Sequence, residues 1–320
     1  MNVNYKEHTK TVMNKGQIEL FVKIAESGSF TRAGQEMNMT QPAVSRAIST
    51  LETELDVQLL VRDRRGIALT AVGRRILVIF RDILKGFSKV EQEVAAEKGL
   101  DKGLISVGTF PVAAAYFIPK IIAAISRQYP NLEFRLHEGT IMEVREWLDT
   151  GLVDVGLLIP PLDGQDTFPL FREKLYAVVP TGHPLAQQAI VRVKDLENEP
   201  MLVCKSGYEP PVIDLFQRAE TELTAKYEVR NYNTALNMVR EGLAVAVMSR
   251  LSLLSVPDGV AVRELEPEAY RDIHLSVRSA ENCSIAVRLF IDTALELFAG
   301  KEAEDLKRSN PDPDLHRTAF

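Results

Sequence analysis

The chain has 320 residues, 46% of them hydrophobic, enough to bury a sizeable core and too many for one ordinary domain. No run of about eighteen apolar residues occurs and the opening stretch is polar, which argues against a membrane span or secretory signal and for a cytoplasmic protein with no membrane partner. Two cysteines, Cys204 and Cys283, are too few for a disulfide framework.

The formal net charge of -6 hides a split. Residues 1–90 carry 14 Lys and Arg against 9 Asp and Glu, leaving 24 against 35 for the rest of the chain's 38 and 44. A basic head on an acidic body suits a nucleic-acid module joined to a part that avoids the phosphate backbone.

Apolar spacing at Ile18, Phe21, Val22 and Ala25 predicts a first helix ending at Ser27-Gly28. Ser29 then caps a short second helix with Phe30, Ala33 and Met37 inward, and Thr40 caps a third, with Pro42 in its first turn. In the third helix Val44, Ile48, Leu51 and Leu55 form the buried stripe, which leaves Gln41, Ser45, Arg46 and Ser49 outward. A small polar face with one cation and no acid before Glu52 can enter a major groove and reach base edges. Taken alone, the same face also fits an ordinary solvated helix.

Two short apolar runs, 58–61 and 67–69, flank Arg62-Asp63-Arg64-Arg65-Gly66 and read as a β-hairpin whose tip arginines could hold phosphates or a narrow minor groove. The segments Ser27-Gly28-Ser29-Phe30-Thr31-Arg32-Ala33, Gln41-Pro42-Ala43-Val44-Ser45-Arg46 and Leu69-Thr70 with Gly73 resemble the LysR-type transcriptional regulators over about sixty residues. The resemblance implies a winged helix-turn-helix over residues 17–72. It also implies that Gln41, Pro42, Ser45 and Arg46 face double-stranded DNA, that Thr31 and Arg32 approach the backbone, and that Arg62, Arg64 and Arg65 form the wing; Thr40 at the start of the third helix and Ser49 on its outward face are counted with these DNA-binding candidates. Gly34 and Asp56 depart from the family's usual alanine and glycine, and residues 1–16 precede its usual start as a flexible extension.

Ile76, Phe80, Ile83, Phe87, Val90 and Val94 recur with coiled-coil spacing and predict a linker helix over 73–98 that joins two copies of the chain. The same stripe also fits intramolecular core. The break at 98–103 is taken to leave the stripe without a covering neighbour.

Beyond it, strands at 104–108, 132–137 and 153–159 alternate with helices at 116–128 and 142–150, the pattern of an α/β unit with a parallel sheet. A second unit, with strands at 175–180, 202–204, 227–229 and 245–247 and helices at 214–221 and 234–242, is followed by a return strand at 273–277 and a helix at 284–298. Tyr129-Pro130, Gly151 with Asp154, and His183-Pro184-Leu185-Ala186 resemble the family's effector domain, which implies a two-lobed, type 2 periplasmic-binding-protein-like fold. Lobe I is expected over 104–175 and 268–300, lobe II over 176–267, and a polar tail over 301–320.

Residues at strand ends and helix starts are the effector-binding candidates: Thr109, Phe110 and Pro111, Gly139 with Thr140, Lys205 with Ser206, and Asn233 with Thr234. Hydroxyls beside Lys205 would suit a carboxylate-bearing metabolite. Each Ser or Thr also fits a plain helix cap.

The phosphate-loop, nucleophile-elbow and zinc-protease motifs are missing, and the five histidines are scattered, so the sequence points to no enzyme, no cofactor and no metal site. The expected partners are DNA, a small-molecule effector and further copies of the chain as dimer or tetramer, with RNA polymerase a further candidate. Three alternatives stay open: a redox switch using Cys204 and Cys283, an α/β metabolite-processing enzyme, and a sequence-indifferent DNA-packaging protein.

Overall fold

The computed structural model describes residues 13–63, 66–97, 102–205 and 207–299. The chain forms two compact units that divide between Val94 and Ala95.

In the first unit, α1 (Lys15–Ser27) opens on a reciprocal cap. The Gln17 N–H donates to Asn14 Oδ1 at 3.1 Å and the Asn14 N–H to Gln17 Oε1 at 3.0 Å. That cap draws Lys15 and Gly16 into the helix, so the extension expected over residues 1–16 ends earlier than the sequence suggested; residues 1–12 lie outside the described ones. Gly28, at φ 62°, ends the helix in the left-handed region. Ser29 caps α2 (Phe30–Glu36) by accepting from the Arg32 N–H at 3.3 Å. Thr40 stands at the N-cap position of α3 (Gln41–Leu55), but its side chain makes no capping bond. Phe21, Ile24, Ala33, Val44, Ile48 and Leu51 close the core of the three helices.

The hairpin follows as β1 (Leu60–Asp63) and β2 (Gly66–Leu69), antiparallel with Leu60 opposite Leu69. Glu52 turns its carboxylate onto the hairpin root, accepting from the Leu59 and Leu60 N–H groups at 2.7 and 3.0 Å. Thr70 caps the next helix, α4 (Ala71–Glu97), and a Cβ on Gly73 would stand 2.1 Å from the Leu59 carbonyl oxygen. Only glycine lets that helix approach the wing so closely.

Helix α4 corrects the expected seam. Phe80 is buried in the head, edge-on to Phe21 with ring centroids 5.5 Å apart, and Ile76 and Ile83 pack against the same core. The front half of the stripe is therefore covered by α1 of its own chain, a neighbour the sequence reading overlooked. Phe87, Val90 and Val94 remain exposed, and so does Ile79, which lies off the predicted stripe.

The second unit contains β3 (Gly103–Thr109), α5 (Pro111–Tyr116), α6 (Ile118–Gln128), β4 (Leu132–Glu138), α7 (Ile141–Asp149), β5 (Val155–Leu158) and β6 (Asp166–Pro180). These are followed by β7 (Ile190–Arg192), β8 (Met201–Cys204), α8 (Glu209–Arg218), β9 (Ala225–Val229), α9 (Tyr232–Arg240), β10 (Val245–Ser249), β11 (Val260–Glu266), β12 (Tyr270–Val277) and α10 (Ile285–Phe298). The helix expected over 116–128 is α6, which starts at Ile118 with Pro119 in its first turn, and a separate short helix, α5, which the sequence reading did not include, starts before it at Pro111.

Strand β6 organises the unit by changing partners along its length. From Asp166 to Lys174 it pairs with β12, and from Leu175 to Pro180 with β10 and β11. Lobe I is thus β4-β3-β5-β12 with the first part of β6, and lobe II is the second part of β6 with β10-β8-β9 and β11-β7. The sheet is mixed rather than parallel, since β12 runs antiparallel to both β5 and β6. Asp154 locks lobe I by exchanging two bonds with Ser106: its carboxylate accepts from the Ser106 N–H at 2.8 Å, and its own N–H donates to the Ser106 carbonyl at 2.7 Å.

Candidate functional site

The outward face of α3 is built by the burial of its other face. Val44, Ile48 and Leu51 are in the core, which leaves Gln41, Pro42, Arg46 and Ser49 exposed and Ser45 half-buried. Thr31, Arg32 and Thr40 are exposed beside them. Glu52, the first acid along α3, is engaged by the backbone at the root of the wing. Arg62 stands on β1 opposite Ile67, whereas Arg64 and Arg65 lie outside the described residues. The departures from the family pattern have local causes. A Cβ on Gly34 would meet the Met39 carbonyl oxygen at 2.8 Å, and Asp56, at φ 51°, ends α3 in the left-handed region that Asp tolerates.

The effector candidates divide differently from the sequence expectation. Thr109 and Phe110 are fully buried, so they offer no wall to a ligand: the Phe110 ring lies 5.3 Å from the Arg271 guanidinium and covers it. Pro111 is half-buried at the start of α5. Thr140 is committed to its own helix. Its N–H and hydroxyl donate to Glu143 Oε2 at 2.7 and 2.9 Å, and its hydroxyl accepts from the Glu143 N–H at 3.3 Å. Lys205 is held by Glu228 at 2.7 Å and faces Glu209 at 3.9 Å; the hydrogen bond to Glu228 raises its pKa. Asn233 and Thr234 are exposed in the first turn of α9, with their N–H groups taken by the Asn231 side chain at 2.8 and 3.3 Å. Ser206 lies outside the described residues.

Sequence reasoning missed the group at the crossing between lobes. Glu173 on β6 and Arg271 on β12 are register partners and fully buried, with Arg271 Nε donating to Glu173 Oε1 at 2.6 Å. Arg271 also donates to the Gly207 carbonyl at 3.0 Å and to Ser249 Oγ at 2.8 Å, and its guanidinium lies 4.4 Å from the Tyr208 ring centroid. Glu173 Oε2 accepts from the Leu251 N–H at 2.9 Å, while Tyr208 OH reaches Ser249 Oγ at 3.3 Å and also bonds Ser252. Burial disfavours the Arg271 charge, but Glu173 and Tyr208 beside it together hold its pKa up; burial pushes the Tyr208 hydroxyl up as well. The signal was strand phase. Phe171, Glu173, Leu175 and Ala177 alternate on one buried face, as do Arg271, Ile273 and Leu275 on theirs, so period two marks both charges as interior.

Ion pairs span the lobes at the surface, among them Lys174 with Glu264 and Arg230 with Glu143. Arg230, just past β9, donates to Glu143 Oε1 on α7 at 3.4 Å. Bonds from the Thr140 N–H and hydroxyl, aided by the Arg230 charge, hold the Glu143 carboxyl below the usual carboxylate range. Cys204 is buried on β8 of lobe II, and Cys283 is half-buried before α10 of lobe I with its thiol 3.4 Å from the Ser279 carbonyl; no disulfide joins them. Two open depressions, of about 430 Å³ beside Tyr176 and Gln188 and about 560 Å³ beside Arg192 and Arg218, lie in lobe II away from all the expected effector residues.

Residues 16–74 match the family described as bacterial regulatory helix-turn-helix protein, lysR family, and residues 98–299 match the LysR substrate binding domain. The chain is 50% identical over 288 residues to the uncharacterized HTH-type transcriptional regulator YvbU of Bacillus subtilis, covering 89% of this chain and 99% of that one. It is 30% identical over 300 residues to the hydrogen peroxide-inducible genes activator of Pectobacterium carotovorum, covering 90% and 98%. Among solved structures, a full-length OxyR variant from Pseudomonas aeruginosa aligns with a TM-score of 0.72 at 23% identity, covering 90% and 96% of the two chains. Full-length CbnR in complex with its target DNA aligns with a TM-score of 0.62 at 23% identity, covering 89% and 99%. A head with an outward polar α3, a body of two lobes and these matches together make the chain a member of the LysR family of DNA-binding transcription regulators, with an effector-binding domain behind its helix-turn-helix.

Proposed function

We propose that this regulator reads a specific DNA site through Gln41, Pro42, Ser45, Arg46 and Ser49 of α3, with Thr31, Arg32, Thr40, Arg62, Arg64 and Arg65 holding the backbone. It acts as a cytoplasmic homo-oligomer and not as an enzyme. The observation that carries the reading is the face of α3: polar, exposed and free of acid, with Glu52 turned onto the wing. Two heads are joined through the exposed apolar residues Phe87, Val90 and Val94 of α4, each copy reading one half-site. A small molecule between the lobes shifts their relative orientation and so the spacing of the heads, which requires that it bind one arrangement better than the other.

Selection from random duplexes with the full-length protein tests this reading. A pseudo-palindromic site should emerge, and Gln41→Ala and Arg46→Ala should each lower the preference for it over random DNA by about 1–3 kcal/mol. Enrichment of no site, or equal losses on selected and random DNA, would sink it. A thiol switch is less favoured, because Cys204 and Cys283 belong to different lobes and Cys204 is buried.

A further inference from the structure

We propose that Arg230 is the anion-recognising residue of the space between the lobes and that Glu143 is its built-in competitor, so that a carboxylate-bearing effector binds by displacing Glu143 from Arg230. A contact that bridges the lobes is then exchanged for a ligand that bridges them. This inference rests on the effector reading above and names its charge partner.

Arg230 is held less firmly than Lys205. Its side chain is 75% exposed, and its ion pair with Glu143 spans 3.4 Å. Lys205, the residue the sequence favoured, is neutralised by Glu228 at 2.7 Å with Glu209 beside it. The two cations flank one strand end: the Lys205 N–H donates to the Val229 carbonyl at 2.7 Å, and the Arg230 charge opposes that of Lys205.

Glu143 suits the part of a resident competitor because its two oxygens are treated unequally. Oε2 is fixed by the Thr140 N–H and hydroxyl at 2.7 and 2.9 Å, whereas Oε1 reaches Arg230 alone. Losing Arg230 therefore leaves Glu143 capping α7, and the exchange does not unravel the helix. Exposed pairs of this kind are weak, which lets a millimolar anion compete. The pivot does not move with it: Glu173 and Arg271 are fully buried and hold β6 to β12 whichever anion Arg230 binds.

The protein carries its own reporter, since Trp147 is the sole tryptophan. A Cβ built on Gly139 would meet Trp147 Cη2 at 2.5 Å and Glu143 Oε2 at 3.0 Å, which places indole and carboxylate against the same glycine. Succinate, a small carboxylate that can address Arg230, is titrated into the full-length protein at ionic strength balanced with chloride, and Trp147 emission is followed. We expect a saturable change in the wild type, at least a tenfold loss of apparent affinity in Arg230→Gln, partial retention in Arg230→Lys, and up to about fivefold tighter binding in Glu143→Gln. The proposal is overturned if Arg230→Gln titrates like the wild type, if Glu143→Gln gains nothing, or if neither wild type nor Glu143→Gln responds. DNA selection on the same proteins separates the two claims: losing the inference alone leaves a selected site intact, whereas losing the regulator reading leaves no site to select.

Discussion

Arg271 and Glu173 lie directly opposite each other on β12 and β6, both fully buried, where the two lobes exchange strands. Removing one partner leaves an uncompensated interior charge, so Arg271→Met should cost about 3–5 kcal/mol in denaturant unfolding of the full chain. The double variant with Glu173→Met should recover much of that loss, because two apolar side chains carry no desolvation penalty. A double variant no more stable than Arg271→Met would show that the pair's stabilisation comes from its other bonds, to Gly207, Ser249 and Leu251.

Under the proposed assembly, helix α4 divides folding from association within one stripe. Phe80→Ala should destabilise the head by about 3–5 kcal/mol, since it empties the space against Phe21. Phe87→Ser with Val90→Ser should instead lower the oligomer's association constant and leave unfolding of the head nearly unchanged, as sedimentation and denaturant titration can show. Equal effects of both changes on both measurements would refute the division.

Two backbone positions should respond in opposite directions. Gly73→Ala forces a methyl into the Leu59 carbonyl and should cost about 1–3 kcal/mol, read as a lower melting temperature of the head. Asp56→Gly relieves a left-handed residue at φ 51° and should change stability by less than about 1 kcal/mol, in the stabilising direction.

His274 predicts the pH dependence. Burial lowers its pKa, against the opposing charge of Asp272. The unfolded chain therefore binds a proton at higher pH than the folded one, and stability must rise with pH across that interval. The contribution is complete above the ordinary imidazole value of about 6.5 and is lost as pH falls toward the lower folded value. Chemical denaturation between pH 5 and 8 should show this slope reduced in His274→Gln; an unchanged slope would place the titration elsewhere.

The head was legible because its signals are local. Ser29 precedes the helix it caps, Val44, Ile48 and Leu51 repeat at helical spacing, and an apolar hairpin flanks a basic tip. The lobes were also legible as alternating elements, although β7 and β11 were overlooked and α8 begins at Glu209 rather than 214. The candidate pocket was less so. Thr140, Lys205, Asn233 and Thr234 have the right chemistry in sequence, but whether a hydroxyl, an ammonium group or a helix-start N–H is available depends on partners that folding supplies, among them Glu143, Glu228 and Asn231.

The sequence by itself determined the helices of the head, the polar outward side of α3 and the alternation of strands and helices in the body, since each follows from periodicity and capping within a few residues, whereas the two-lobed arrangement came from the family resemblance. Only the tertiary structure decided that Phe80 belongs to the head's own core, that Phe110 covers Arg271, and that Arg230 meets Glu143 across the lobes. Those outcomes join residues 59, 161 and 87 positions apart, and a charge or ring that finds its partner at such range leaves no mark in the spacing of its neighbours.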